Sequence, residues 1–287
     1  PSPQDNPEEA QQEPIEAKVG VFITSLYGLD LRNQSYNVTF WAWFIHNSKD
    51  YKPDASTEII NAHSYNRDNS STTVSESQVI WSVFRFTAKV AHNWDISNFP
   101  FDHQTLQFFL DDAERDYSTL RYVADVHNSK VDSDVVVADW NITDFNIKTG
   151  PKTYQTTYGD PGLIDGNSTF SKVTVAITLE RKGLRLFVNM FSALYIAFIL
   201  SSVAFFVPLE NISARLSLAT AAIFAAIGNK YVVDSMLPPT ASLTLVDKIQ
   251  IATFLFIGIM VFVTVTYAHF GSRLETITKK INEYGEV

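Results

Sequence analysis

The sequence predicts two structural parts, a β-sandwich over residues 15–183 and a bundle of membrane-spanning α-helices over residues 184–270. Three observations predict this division. Short β-branched and aromatic runs fill the first part, long apolar segments fill the second, and most acidic residues lie in the first. With 287 residues the chain exceeds one average domain, which agrees with two parts.

The first part has the strand pattern of a sandwich. The runs that carry it are 36–44, 79–86, 104–110 and 170–177. Several of them alternate with period two, and stretches of Asn, Asp, Ser and Gly separate them. Because no 3.6-residue pattern of helical length competes, we expect an immunoglobulin-like sandwich of two sheets.

Two apolar segments, 186–207 and 249–270, contain no Asp, Glu, Lys or Arg. At about 1.5 Å per residue, each is long enough to cross a hydrocarbon core of about 30 Å. Both segments are therefore predicted to span a membrane.

The segment 215–237 between them differs, because it contains Lys230 and Asp234. An ionisable group at the centre of a bilayer costs about 2.5–3.5 kcal/mol, so neither side chain is expected to face lipid. Their spacing of four residues allows them to pair or to lie at an aqueous mouth. A helix with one small, polar face between two lipid-compatible helices is what a pore lining requires. An amphipathic helix on the membrane surface is the alternative.

Both ends of the chain are polar. Residues 1–14, rich in Pro, Gln and Glu, are predicted to be a disordered lead-in. Residues 271–287 are too polar to cross a membrane and are predicted to form a cytoplasmic tail with a short amphipathic helix. Lys and Arg flank the predicted spans on both sides, so the positive-inside rule does not fix the topology.

Composition excludes several functions. Cys is absent from the sequence, which rules out thiolate metal sites and Cys nucleophiles. The net charge is −9, and residues 1–183 by themselves carry −10, with 25 acidic and 15 basic residues. This acidic excess argues against nucleic-acid binding and favours attraction of cations. The sequence has no Gly-rich phosphate loop and no His-Glu-x-x-His motif, so we expect neither an enzyme nor a bound cofactor.

One acidic cluster is a candidate site for a divalent cation. Hard cations such as Ca²⁺ take several carboxylate oxygens, and four carboxylates stand close together in the sequence. Ca²⁺ is therefore a predicted modulator, with a solvated loop at the end of a strand as the alternative interpretation. The four residues are Asp111, Asp112, Glu114 and Asp116.

The tetrapeptide Phe-Pro-Phe-Asp at 99–102, followed by closely spaced spans, resembles a signature of the pentameric ligand-gated ion channels, the Cys-loop receptor superfamily. Other segments are similar to its bacterial members: 27–36 to their first hairpin, 170–174 to the strand after their capping loop, and 180–182 to the basic segment before their first span. The stretch 213–240 is similar to their pore helix and its exit loop. In this order the motifs cover nearly the whole chain.

The resemblance implies a coupling role for the tetrapeptide. In that family its loop hangs from the extracellular domain onto the membrane domain and helps to couple ligand binding to gating. The residues implied in coupling are Phe99, Pro100, Phe101, Asp102, Arg181 and Pro238.

The resemblance also implies that the second span lines a pore. Phe224 would be the main gate, closing the pore by dewetting, and Tyr231 would be a second constriction. Asp234, at the extracellular end, and Glu210 would favour cations, although Ala214 replaces the Glu that usually precedes the basic residue opening the pore helix. The implied pore-facing residues are Ser217, Ala221, Phe224, Gly228, Tyr231 and Ser235.

In that family the ligand site lies between neighbouring extracellular domains and is lined by aromatic side chains. The capping loop would correspond to 154–170. Aromatic rings suit an ammonium ligand, each cation–π contact contributing about 0.5–2 kcal/mol, while protons and divalent ions stay open as modulators. The implied ligand-binding residues are Tyr158, Phe170, Tyr65, Trp41 and Trp43.

The predicted function is that of a homopentameric, cation-selective, ligand-gated ion channel. We expect it in a prokaryotic cell membrane as a multi-pass protein with its N-terminal domain extracellular or periplasmic. Its expected partners are lipid, permeant ions and a small-molecule, proton or divalent-ion modulator, but not nucleic acid. An anion-selective channel of the same fold and a non-conducting, membrane-anchored solute-binding receptor are the alternatives. The family has four spans and this sequence shows three, so the fourth is either truncated or absent.

Overall fold

The computed structural model describes residues 13–159, 166–208, 210–239 and 243–285, with the side chains of the last helix described up to Gly271. Residues 1–12, most of the predicted lead-in, lie outside the described residues. Two compact units are present. Residues up to Trp94 together with His103–Glu180 form a β unit, and Asp95–Asp102 together with residues from Arg181 onward form a helical unit. The loop that carries the tetrapeptide thus belongs to the helical unit, although it lies within 15–183 in the sequence.

The β unit consists of two sheets. Its strands are β1 (Ile15–Asp30), β2 (Ser35–His46), β3 (Thr57–Ile59), β4 (Ala62–Val74), β5 (Ile80–Ala91), β6 (His103–Asp112), β7 (Leu120–Ala124), β8 (Lys130–Val131), β9 (Trp140–Tyr154) and β10 (Ser168–Arg181), with the short helix α1 (Pro53–Ser56) between β2 and β3. One sheet has the order β4-β5-β2-β1-β7 with β8 beside β1, and the other has the order β3-β6-β10-β9. The strand β1 runs parallel to β7 and β8 and antiparallel to β2.

The two sheets pack face to face around aromatic side chains. Buried and less buried residues alternate along β2, β5 and β6, so each strand gives one row of side chains to the interior. Phe40 of β2 stacks on Phe108 of β6 with their ring centres 4.4 Å apart, which joins one sheet to the other. The predicted β-sandwich followed by helices is therefore confirmed.

The helical unit consists of α2 (Gly183–Met190), α3 (Ser192–Ala204), α4 (Ile212–Met236) and α5 (Leu245–Gly285). Both α4 and the Leu245–Gly271 part of α5 are long and apolar enough to cross a membrane, and the bent pair of α2 and α3 makes a third span if it is counted as one. Small side chains such as Ala204 and Ala219 pack with Met260 in the interior of this unit.

The first predicted span, 186–207, is not one straight helix. It breaks at Phe191, where α2 and α3 meet at an angle of 50°. The carbonyl of Met190 accepts a hydrogen bond from the side-chain amide of Asn229 on α4. An inserted side-chain partner of this kind is a recognised cause of a helix break, and it depends on a residue 39 positions away.

The predicted tail, 271–287, is not a separate element over its described part. The helix α5 continues through Gly271 as far as Gly285, 41 residues in all. The segment contains no proline, so nothing in its backbone chemistry ends the helix at the membrane boundary.

Candidate functional site

The loop Asp95–Asp102 is fixed by a buried ion pair. Arg181 donates from Nε to Asp102 Oδ1 at 2.6 Å and from Nη2 to Asp102 Oδ2 at 3.1 Å. Both side chains are almost fully buried, and the guanidinium also lies 4.9 Å from the centre of the Phe99 ring. A two-pronged charged pair fixes orientation as well as distance, so this end of the loop is held firmly.

The same loop lies against the start of the first helix. The rings of Phe101 and Phe187 have their centres 5.4 Å apart. A Cβ atom added at Gly183 would lie 2.0 Å from the carbonyl oxygen of Pro100, so only glycine fits at this position. Four of the implied coupling residues and Arg181 thus lie in one contiguous cluster.

The loop also touches the last helix. The backbone N–H of Leu245, the first residue of α5, donates to the carbonyl of Ser97. The remaining implied coupling residue, Pro238, is buried two residues after the end of α4. The loop is therefore bonded or packed to both the first and the last helix of the unit.

The helix α4 has two opposite faces. Its buried residues repeat with spacings of four and three, and each implied pore-facing residue stands two positions after one of them. Two positions are about 200° around an α-helix, so the implied stripe points away from the packed face. The buried residues are Arg215, Ala219, Ala222, Ala226, Asn229 and Val233.

All six residues of the implied stripe are exposed on the chain. Phe224 is 71% exposed and Tyr231 is 78% exposed. Large aromatic rings so far out of the interior need a partner surface or an apolar solvent. The stripe from Ser217 to Ser235 is therefore available to line a space that this chain alone does not enclose.

The two carboxylates implied in ion selectivity are exposed, but they differ in their surroundings. Glu210 lies in the turn before α4, and Asn211 caps this helix by accepting a hydrogen bond from the backbone N–H of Ala214. Asp234 lies near the other end of α4, where the Lys230 ammonium is 3.0 Å from its Oδ2. The carboxylate of Asp234 is thus part of an ion pair.

A cavity of about 1200 Å³ opens in the β unit between the ends of β6, β9 and β10. Four aromatic rings line it, and three of them are in mutual contact: the ring centres of Tyr154, Tyr158 and Phe170 lie 6.0–6.2 Å apart. Acidic residues, among them Glu58 and Asp111, line the same cavity. The implied ligand residues Tyr158 and Phe170 are thus brought together beside carboxylates.

Of the carboxyl groups that line this cavity, that of Asp111 has the pKa furthest from its ordinary value. Its Oδ2 accepts from the Tyr154 hydroxyl at 3.1 Å, and its Oδ1 accepts from the backbone N–H of Asp112 at 2.9 Å. Burial, together with the nearby charges of Glu58 and Asp112, raises the pKa of Asp111 to about 6. Burial and the neighbouring Asp111 raise the pKa of Tyr154 above its ordinary value, so its hydroxyl keeps its proton and donates.

The other three aromatic residues implied in ligand binding are not among the described residues that line the cavity. The ring of Trp43 lies over the backbone of Gly20, where an added Cβ atom would collide with it. The Nε1 of Trp43 donates to Asp125 at 3.1 Å. Trp41 lies on the same strand, with the Arg85 guanidinium 5.9 Å from its ring. These contacts give both tryptophans a role in the sheet.

Tyr65 is also separate from the cavity. It is 40% exposed on β4, and its ring packs edge-to-face on Phe86 at 5.7 Å. The structure therefore divides the five implied residues into a pair at the cavity and three residues elsewhere on the β unit.

The four carboxylates of the candidate divalent site do not converge. Asp112 accepts from the Ser56 hydroxyl and from the backbone N–H of Glu114, while Asp116 accepts from the hydroxyls and backbone N–H groups of Ser118 and Thr119. Within the described ranges, no group of three or more His, Asp or Glu is arranged to hold a metal ion. Carboxylates of the acidic run thus accept hydrogen bonds from N–H groups of their own turn, because short side chains at strand ends bond to nearby backbone.

Comparison with known proteins finds a relative among the ion channels. The chain is 22% identical over 277 residues to a proton-gated ion channel of Gloeobacter violaceus, and the alignment covers 90% of this chain and 74% of that protein. No protein-family model matches. The resemblance to the pentameric ligand-gated ion channels is confirmed. Similarity along 90% of the chain, a two-sheet domain and the apolar helices that follow it all agree with this fold.

Two features of this chain were not predicted from its sequence. The sequence pattern placed Asp111 in a metal site and left Tyr154 out, whereas the two bond to each other beside Tyr158 and Phe170. A signal was present, because Asp111 directly follows the predicted strand 104–110 and Tyr154 begins the predicted capping loop. It also left Asn229 out; a buried polar residue in an apolar span needs a partner, and its amide finds the Met190 carbonyl.

Proposed function

We propose that this chain is a subunit of a homopentameric, cation-selective, ligand-gated ion channel whose pore is lined by α4. One observation carries the proposal: the stripe from Ser217 to Ser235 is exposed and lies opposite the face with which α4 packs on its own unit. Five copies around an axis would turn that stripe into a lining, since one helix alone encloses no conduit. The relative is named a proton-gated ion channel, which supports the same class.

The first experiment is a recording from purified protein in a planar bilayer under a NaCl gradient, stepping through pH with and without Ca²⁺. Currents that reverse near the Na⁺ potential are expected. Reversal near the Cl⁻ potential would still show an ion channel but would contradict its cation selectivity. Silence at every pH and Ca²⁺ concentration would favour a non-conducting receptor.

The gate is the next part of the proposal. Phe224 is apolar and 71% exposed, so five copies facing one axis would form an apolar ring that excludes water when it is narrow. The Phe224→Ser variant is expected to open more readily or to leak. The matched control is Phe206→Ser, because Phe206 is 86% exposed but lies outside α4. Equal behaviour of the two variants would contradict a gate at Phe224.

The agonist is proposed to act at the cavity of the β unit, and a proton is the first candidate. The carboxyl of Asp111 has a pKa of about 6 and is bonded to Tyr154 on the aromatic cluster, so its protonation would change the charge that this cluster faces. A small organic cation is the second candidate, since aromatic rings beside carboxylates suit one. The Asp111→Asn variant, which stays neutral, is expected to lose or shift its pH response; an unchanged response would exclude Asp111.

Orientation and location follow from the same proposal. The β unit would lie outside a prokaryotic cell, where an agonist can reach its cavity, and the spans would lie in the cell membrane. Cleavage of the β unit by a protease added to spheroplasts, whose outer face of the cell membrane is accessible, would support this orientation. Protection of the β unit until the spheroplasts are lysed would reverse it.

A further inference from the structure

The C-terminal end of α4 carries a charged pair rather than a single acidic residue. Lys230 Nζ lies 3.0 Å from Asp234 Oδ2 and 3.3 Å from Asp234 Oδ1. The two residues are one helical turn apart, and their side chains are 45% and 52% exposed. Lysine before an acidic residue is the weaker order for such a pair on a helix, so a further contact is needed to hold it.

Gln250 on α5 supplies that contact. Its Oε1 lies 3.5 Å from Lys230 Nζ, and the side chain is only 2% exposed. Its Nε2 has no hydrogen-bond partner among the described residues, so this buried amide is held through the bond that its Oε1 accepts from Lys230. Because α4 and α5 pack together here, Gln250 keeps the ammonium beside Asp234 and away from lipid.

The pair has no net charge. A lone Asp234 would give each subunit one negative charge near Ser235, the last residue of the exposed stripe, and five subunits would give five. With Lys230 in contact, each subunit gives a dipole whose field falls off much faster than that of a charge. Asp247, at the start of α5, is engaged by the backbone N–H and hydroxyl of Thr244. It does not replace the lost charge at the stripe, because it lies on another helix.

We propose that Lys230 determines the charge that ions meet at this end of the pore, by neutralising Asp234. The inference rests on the proposed function, because it concerns a pore lined by α4. Ion selectivity at this end of the pore would then depend on Lys230 as well as on Asp234. Asp234 acts as the source of negative charge, Lys230 as its counter-ion and Gln250 as the positioning residue.

The test compares reversal potentials under a NaCl gradient. Lys230→Met is expected to raise the permeability ratio of Na⁺ to Cl⁻ by about three- to tenfold, since it exposes five carboxylates at the mouth. Lys230→Arg keeps the positive charge, so its permeability ratio is expected to equal that of the unaltered protein. Asp234→Asn removes the negative charge and is expected to shift the ratio towards Cl⁻. Lys248→Met is the matched control, because it removes the same charge from an exposed position at the start of α5. Its ratio is expected to stay within about twofold of the unaltered protein.

A Lys230→Met channel that conducts with an unaltered ratio would overturn the inference and leave the proposed function standing. If the unaltered protein never conducts, the proposed function fails, and the pair is then tested by itself. Melting temperatures of Lys230→Met, Asp234→Asn and the double variant form a cycle in purified protein. A double variant that loses less than the sum of the two single losses supports the pair, and strictly additive losses contradict it.

Discussion

The interiors of the two units differ in the side chains that fill them. In the β unit the fully buried residues include large aromatic ones, among them Phe40, Phe84 and Phe108, while polar residues occupy the outer faces of the strands. In the helical unit the buried residues include Ala197, Ala222 and Ser201, together with the polar residues Asn229, Gln250 and Thr264. A few large apolar residues such as Phe191, Leu194 and Met260 are also buried, but many others are exposed.

This difference is the one expected between a domain in water and helices in lipid. A water-soluble domain buries its large apolar side chains because water drives them inward. Between helices in lipid that driving force is absent, so close packing of small residues and hydrogen bonds hold the helices together. The helical unit follows the second rule, with Phe206, Leu255 and Phe262 exposed. The distribution of side chains therefore supports a membrane location independently of hydropathy along the sequence.

The largest expected effect tests this contrast with one substitution in each unit. Phe108 is fully buried and stacked on Phe40, so Phe108→Ala should lower the free energy of unfolding by about 3–5 kcal/mol. Phe262 is 71% exposed on α5, and Phe262→Ala should change it by less than about 0.5 kcal/mol. Denaturant unfolding of the detergent-solubilised protein measures both. Equal losses would show that the two units share one kind of interior.

A smaller effect is expected at the buried Arg215. Its guanidinium donates to the carbonyls of Phe205 and Val207 and to the Thr264 hydroxyl, at 3.0–3.3 Å. Arg215→Lys keeps the charge but cannot reach all three acceptors. We therefore expect the free energy of unfolding to fall by about 1–3 kcal/mol, seen as a lower melting temperature.

The control for Arg215 is Arg185→Lys, because Arg185 is exposed at the start of the first span. Its effect on the melting temperature should be close to zero. A similar loss in both variants would mean that hydrogen bonding inside the helical unit contributes little, and that the contrast with the β unit lies in packing alone.

The smallest effect concerns pH. Since the pKa of Asp111 is raised from 3.8 to about 6 in the folded protein, the folded state binds this proton more tightly than the unfolded state does. The protein should therefore gain stability as the pH falls from about 6 to about 4. Two pKa units set an upper limit of about 3 kcal/mol, and we expect about 1–2 kcal/mol because the carboxyl borders an open cavity. Asp111→Asn should remove this gain in unfolding curves measured across that range.

Asp116 provides the opposite sign. Burial raises the pKa of its carboxyl, but hydrogen bonds from Ser118 and Thr119 outweigh burial and leave it lowered. Asp116→Asn should therefore remove a loss of stability that appears as the pH falls through the lowered pKa. If both variants respond to pH in the same direction, the assignment of Asp111 as the group that gains a proton is wrong.

Features of this chain that depend on local pattern could be predicted from the sequence. Alternation along 36–44 and 104–110 is enough to predict strands with one buried face, and these became β2 and β6. The spacing of Ser217, Phe224 and Tyr231 is enough to place them on one helical face. Each of these predictions uses residues within a few turns of one another, where backbone geometry alone decides which side chains share a face.

Features that depend on distant partners could not be predicted in this way. The break at Phe191 needs Asn229, the pairing of Tyr154 with Asp111 joins β9 to β6, and the continuation of α5 past Gly271 meets no local stop signal. Of the four carboxylates predicted to bind a divalent cation, Asp112 and Asp116 bond to their own turn, which spacing along the sequence does not reveal. Such choices are made among competing contacts in three dimensions, and composition along the chain does not rank them.

Gly183 restricts the directions in which the tetrapeptide loop can move. The site of its missing Cβ lies 2.0 Å from the Pro100 carbonyl oxygen, so the backbones of the loop and of α2 leave no room for a side chain between them. Any displacement of the loop relative to the first helix must therefore be a sliding motion or a separation, because approach is blocked. A pair of distance probes at the loop and on α2 would report only equal or longer separations in every state of the protein.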